Sequence, residues 1–264
     1  MRAVPAVSLC TMAALAASLL LARVHPFGDA GLYAAQRSET PVLTGGQFPQ
    51  SVGVLLVEKC ADCHSNQTHV PLYGRFAPAS WLMERDIVEA RKAMNLSQWG
   101  GYSPDQRQTF AAKIVQETKS RRMPLPQYRL IHWNARISDG DVGTLSSWAR
   151  AESGAGAEGQ VAGAGDPTRG KALFEKRCTG CHALTKNKEG PQLQGVFGRA
   201  SGTAAGFVYS AALKKAGIVW DESSLDKWLT DPDALIAGNE MDFSMSDAQE
   251  RMDLIKYLRL SSGK

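Results

Sequence analysis

The chain has 264 residues, enough for two ordinary domains with a tail or linker. At 44% hydrophobic and 21% charged residues its composition is that of a globular protein, which excludes wholesale disorder and a multi-span membrane protein. A net charge of +4 without a polycationic run excludes a dedicated nucleic-acid binder.

After Met1-Arg2 the chain runs from Ala3 to Ala22 without a charge, a length suited to a membrane span or a signal segment. A cleaved signal needs small residues three and one before the cut. The best match, Gly28-Asp29-Ala30, lies beyond Arg23 and Pro26, so residues 1–24 read as an uncleaved anchor in preference to a cleaved signal peptide. Residues 25–46 show no periodicity and read as a tether. From Pro49 the pattern turns helical, with Val52, Leu55, Leu56 and Lys59 at three- and four-residue spacing. Further helices are predicted over Ser80–Met94, over Asp105–Lys119 after Ser103-Pro104, and over Asp139–Ala151 after Ser138. Residues 152–165 are a low-complexity Gly/Ala-rich stretch that reads as a flexible linker, with a coil length of roughly 20 Å. Asp166-Pro167 then opens a new helix as N-cap and first-turn proline, and the last helix is predicted from Ser246 to Leu260. The expected fold class is all-α: two small helical domains, 47–151 and 166–264, joined by the linker and preceded by the N-terminal segment.

Four of the five cysteines form two pairs, each followed at once by histidine: Cys60-Ala61-Asp62-Cys63-His64 and Cys178-Thr179-Gly180-Cys181-His182. This is the signature of covalent haem attachment. Two thiols one helical turn apart can add to the two vinyl groups on one porphyrin edge, and the next residue sets an imidazole under the iron. A thioredoxin-like pair would need an alternating strand–helix pattern, and a zinc site would need ligands closer in sequence. The metal ligands read from the motifs are therefore His64 and His182, and the cofactors two covalently attached haem c groups.

From Asp166 onward the sequence resembles class I cytochrome c of the mitochondrial type. Gly170, Phe174, Leu254 and Tyr257 match the family's helix crossing, and Gly190-Pro191 through Gly198-Arg199 match the loop after the haem motif. The resemblance implies that the Pro191 carbonyl holds the second nitrogen of His182 and that Arg199, Tyr209 and Trp220 hold haem propionates. It implies Met241 as sixth ligand, with Met245 as the alternative. Trp228 stands where that family has tyrosine, Leu213 where it has asparagine, and Glu240 where it usually has lysine.

Residues 47–151 resemble a bacterial haem-binding domain family. The resemblance rests on Cys60-x-x-Cys63-His64-Ser65-Asn66-x-Thr68, Pro71-x-Tyr73, Ala77-Pro78-x-Ser80-Trp81, Arg91, Met94-Asn95-x-x-x-Trp99, Met123-Pro124-Leu125-Pro126 and His132. Met123, before proline, is the candidate sixth ligand of the first haem. Met94, His132, His69 and an open distal position are the alternatives. Lys119, Arg121 and Arg122 read as a solvated helix end, with propionates or a partner as their other possible contacts.

The expected protein is an exported electron carrier on the periplasmic side of a bacterial inner membrane, passing single electrons between redox protein partners (an oxidase, a reductase or a dehydrogenase). It would touch the membrane through an uncleaved N-terminal segment and bind no nucleic acid. The competing reading is a peroxidase-like dihaem enzyme or a haem sensor with an open distal site in the first domain. No catalytic residue stands out.

Overall fold

A computed structural model of the protein describes residues 3–33, 48–153 and 163–263. Residues 34–47 of the expected tether and 154–162 of the expected linker lie outside the described residues. Among the described residues the fold is all-helical, with an isolated bridge between Ala200 and Val219 and no strand. The chain divides into two compact units, 1–101 and 102–264.

In the first unit α1 spans Ala3–Leu21, α2 Gln50–Lys59, α3 Ala61–His64 and α4 Ala79–Ala93, with 3-10 turns at Leu72–Arg75 and Leu96–Gly101. Among the described residues no helix is long and apolar enough to cross a membrane. Val52 and Leu56 of α2, Ile87 of α4, Leu96 and Trp99 form the apolar interior. Residues 25–33 are not the bare tether that their lack of periodicity suggests. Glu84, fully buried on α4, needs polar partners, because an unpartnered buried carboxylate is costly. Tyr33 donates to its Oε1 at 2.9 Å, and His25 Nδ1 lies 2.9 Å from the same oxygen. Burial and this contact push the Tyr33 hydroxyl up to about 12. Ser18 and Trp81 add bonds between the end of α1 and the start of α4, at 2.7 Å to the Ala77 carbonyl and 3.2 Å to the Leu21 carbonyl.

In the second unit α5 (Pro104–Lys119) and α7 (Asp139–Glu152) pack side by side, with the short α6 (Pro126–Ile131) between them in sequence. Ser103–Gln106 and Ser138–Asp141 form reciprocal capping boxes at the starts of α5 and α7. Then follow α8 (Pro167–Leu173), a π-helical turn (Phe174–Cys178), α9 (Ala211–Lys215), α10 (Glu222–Thr230), α11 (Pro232–Leu235) and α12 (Ala248–Ser261). Asp166 caps α8 by accepting from the Thr168 and Arg169 amides at 2.7 and 3.2 Å. α8 crosses α12 at Gly170, where a Cβ would stand 2.0 Å from the Asp253 carbonyl oxygen. Arg169 clamps Asp253 with two hydrogen bonds of 2.6 and 2.9 Å. Phe174, Val196, Trp220, Leu225, Leu229, Leu254 and Leu258 close the core.

By packing, the chain divides after Gly101. α5 buries the apolar Ala111, Ala112, Ile114 and Val115, a pattern that periodicity reveals. It also carries polar side chains whose partners lie beyond residue 166, which periodicity does not reveal.

Candidate haem sites

Both motifs close a five-residue hydrogen-bonded turn, helical over Ala61–His64 and non-helical after Cys178. The His64 amide bonds the Cys60 carbonyl at 2.9 Å, and the His182 amide bonds the Cys178 carbonyl at 2.8 Å. Burial pushes the thiols of Cys60 and Cys178 to about 12, and those of Cys63 and Cys181 to about 11. These are not the low-pKa thiols of a redox pair.

At the first site His64 Nδ1 lies 3.1 Å from the carbonyl of Met94, the residue that ends α4. A carbonyl only accepts, so Nδ1 carries the proton and Nε2 keeps its lone pair for a metal. A polar net closes the loop around this histidine. Arg91 donates to the Ser65 carbonyl (2.7 Å) and the Thr68 hydroxyl (3.0 Å), and Thr68 donates to the Asp62 carbonyl at 2.5 Å. Asn95 donates to Asn66 at 2.8 Å. The Ser-Asn-x-Thr run, Arg91 and Asn95 thereby share one local task. His69 is 92% exposed at its side chain and faces Asp62, which places it on the surface. Met94 is buried, and its carbonyl is a functional group that sequence reasoning missed.

At the second site His182 Nδ1 lies 2.8 Å from the Pro191 carbonyl, as the resemblance implies. Gly190 lets the loop lie on the imidazole, since a Cβ there would be 2.2 Å from His182 Cε1. Burial holds both imidazoles below their ordinary value, which keeps them neutral. His182, Cys178, Cys181, Met241, Arg199, Tyr209 and Trp220 all line one cleft of about 1220 Å³ measured out to its open mouth. Met245 is 1% exposed and packs in the core, so Met241 is the methionine that faces the cleft. Trp228 Nε1 donates to Met241 Sδ at 3.2 Å, a contact that no sequence pattern announced.

The comparisons with known proteins follow this division of motifs. Residues 21–151 match the haem-binding domain family, and residues 167–262 match the cytochrome c family. Cytochrome c 2.1 of Caenorhabditis elegans is 46% identical over 38% of this chain and 94% of its own length. Cytochrome c of Chlamydomonas reinhardtii is 47% identical over 36% of this chain and 89% of its own length. This chain belongs to the cytochrome c family. Among solved structures, cytochrome cH from Methylobacterium extorquens is 41% identical over 36% of this chain and 99% of its own, with a TM-score of 0.35.

The residues of this cytochrome c domain fit a haem. The cleft offers an imidazole and a thioether, the donor pair of a haem that changes charge by one electron. Its lining is largely apolar, and Arg199 Nε is buried without a partner while Nη2 donates to the Gln192 carbonyl at 2.9 Å, which leaves a cationic donor for an anionic group. The Tyr209 hydroxyl accepts from the Ala204 amide at 3.3 Å. Met123 and His132 both fall in the second compact unit. Met123 sits half-buried in the turn after α5, and His132 stacks on Tyr128 with ring centroids 4.0 Å apart. In the basic run before Met123, Arg121 and Arg122 are exposed, as a solvated helix end implies, whereas Lys119 is partly buried. Lys119 pairs with Asp242 at 2.7 Å, Arg122 pairs with Glu117 at 3.0 Å, and Arg121 pairs with Asp139.

Proposed function

We propose that the protein is an exported dihaem c-type cytochrome that carries single electrons between redox protein partners. The observation that carries this reading is the likeness of the two motif turns. Each sets a histidine at the same step after paired cysteines, and each Nδ1 faces a backbone carbonyl, at 3.1 and 2.8 Å. Bound there, haem c supplies a one-electron ferric/ferrous couple. His64 and His182 present Nε2 in a fixed orientation because their other nitrogen is spent on a carbonyl. Met241 presents a soft, neutral sulfur, which favours the ferrous state. Apolar side chains around the second site keep water away and limit reorganisation when charge changes. Cys-x-x-Cys-His attachment takes place outside the cytoplasm, which supports a place on the periplasmic side of a bacterial inner membrane, with residues 1–24 as anchor or signal.

The test is haem stoichiometry from an alkaline pyridine spectrum, a reductive titration, and carbon monoxide addition to the reduced full-length protein. Two haems per chain, two one-electron steps and no carbon monoxide adduct are expected. One haem per chain would refute the dihaem reading. Stoichiometric carbon monoxide binding at one haem would replace the carrier with an open-site enzyme or sensor.

A further inference from the structure

α5 flanks the mouth of the second cleft. Ala112 and Gln116 of α5 line it beside Cys178 and Cys181, and a Cβ on Gly180 would stand 2.7 Å from the Thr109 methyl. The helix is tied down along its length. At its start Asp105 pairs with Lys176 and, at 2.7 Å, with Arg177. In its middle Lys113 lies 3.2 Å from Glu189, Gln116 donates to the Glu189 carbonyl at 2.9 Å, and the buried Gln108 donates to the Ser244 carbonyl at 2.6 Å. At its end Lys119 pairs with Asp242. One helix therefore grips the segments before and after the Cys178–Cys181 turn and the loop that carries Met241. The charge pattern alternates acid, base, base against base, acid, acid, so the match has a register.

Burial pushes the Asp105 carboxyl up, but the bonds from Lys176 and Arg177 outweigh it and hold the group below the usual carboxylate range.

A haem attached through Cys178 and Cys181 would be held beside Ala112 and Gln116 of α5. Electron tunnelling falls steeply with distance, and an interposed helix adds roughly 10 Å between that haem and any outside protein. We propose that α5 is the resident docking partner of the C-terminal haem. It occupies the position an external redox protein would need, so this haem is screened from outside partners until α5 is lifted. By sequence α5 belongs to the haem-binding family match, residues 21–151, so the occupant comes from the other module. The proposal rests on the electron-carrier reading for its purpose, but its structural content can be tested separately.

The experiment uses the full-length, haem-loaded protein and the double variant Asp105→Lys/Lys113→Glu, which leaves net charge unchanged. Hydrogen–deuterium exchange over residues 178–190 reads the cover directly, and stopped-flow oxidation of the ferrous protein by ferricyanide reads access to the haem. We expect both to rise about tenfold in the variant, since attractive pairs become repulsive ones. Lys113→Glu/Glu189→Lys, which restores one pair with reversed polarity, should return both to wild-type values. Unchanged exchange and oxidation in the double variant would overturn the proposal. If that variant does not fold, the unmodified protein decides. Raising salt from low to molar concentration screens the pairs and should speed exchange of the same segment, and a salt-independent rate would overturn the proposal. Failure of the carrier reading would show in the reductive titration and leave the exchange result untouched.

Discussion

Gly170→Ala tests the helix crossing on which the second haem cleft is built. Inside a helix this change ordinarily stabilises, by about 1 kcal/mol. Here the new methyl would lie 2.0 Å from the Asp253 carbonyl oxygen and 2.8 Å from Tyr257 Cβ. A carbon–oxygen contact relaxes only near roughly 3.3 Å, so α8 and α12 must part by about 1.3 Å. Overpacking of this kind costs about 1–3 kcal/mol, and separation also loosens Arg169 from Asp253 and Phe174 from Tyr257. Taking about 3 kcal/mol against about 1 kcal/mol gained leaves a net loss of about 2 kcal/mol, or roughly 4–8 °C in Tm for a unit of this size. The control is Gly143→Ala in α7, where nothing lies within 4 Å of the new Cβ. It should gain about 0.5–1 kcal/mol. Thermal and urea melts of the two full-length holo variants give the comparison. Equal or higher stability of Gly170→Ala would refute the claim that close approach, not helix propensity, decides this position.

Three further outcomes are expected. Trp228→Phe removes the donor to Met241 Sδ, making the sulfur a stronger donor to ferric iron, so the potential of the C-terminal haem should fall by on the order of 30 mV; a rise in a spectroelectrochemical titration would contradict this. Met241→Ala should let the reduced C-terminal haem take up carbon monoxide, and Met245→Leu should not, because Met245 packs in the core. Asp253 is held below its ordinary value of 3.8 first by the Arg169 bond, and Glu189, despite burial pushing it up, below 4.5 by its own amide and Lys113. Depressed carboxylates contribute stability that is present above those ordinary values and lost as pH falls through the folded ones. Tm should therefore be level from pH 7 to about 5 and drop below about 4, with a shallower drop in Asp253→Asn; a flat profile down to pH 3 would rule this linkage out.

Some of this architecture can be read from residue types and spacing alone. Cys-x-x-Cys-His reports its chemistry because five consecutive residues in one turn perform it. The helices after Ser103, Ser138 and Asp166 are legible because cap and proline chemistry is local. The Met94 carbonyl on His64 was not legible, since a backbone acceptor leaves no trace in side-chain identity. Trp228 reads in the sequence only as a departure from tyrosine, because residue type does not say which atom its N–H meets. The packing division after Gly101 is not legible for the same reason. Gly-rich composition marks the 152–165 linker, but the partners of Asp105, Lys113 and Lys119 are set by long-range pairing that periodicity does not report.

The two histidines share a motif but not a mounting. His182 rests on a loop, whereas His64 is hung from the end of a fifteen-residue rod, α4. One face of that rod bears Glu84, gripped by His25 and Tyr33, and Arg91 reaches from it both to the Ala30 carbonyl and to the Ser65 carbonyl next to the ligand. A single guanidinium thus connects the chain leaving α1 with the residue beside His64. Residues 22–33 are thereby joined through α4 to the frame of that histidine, whereas His182 takes its carbonyl from Pro191, nine residues along its own loop.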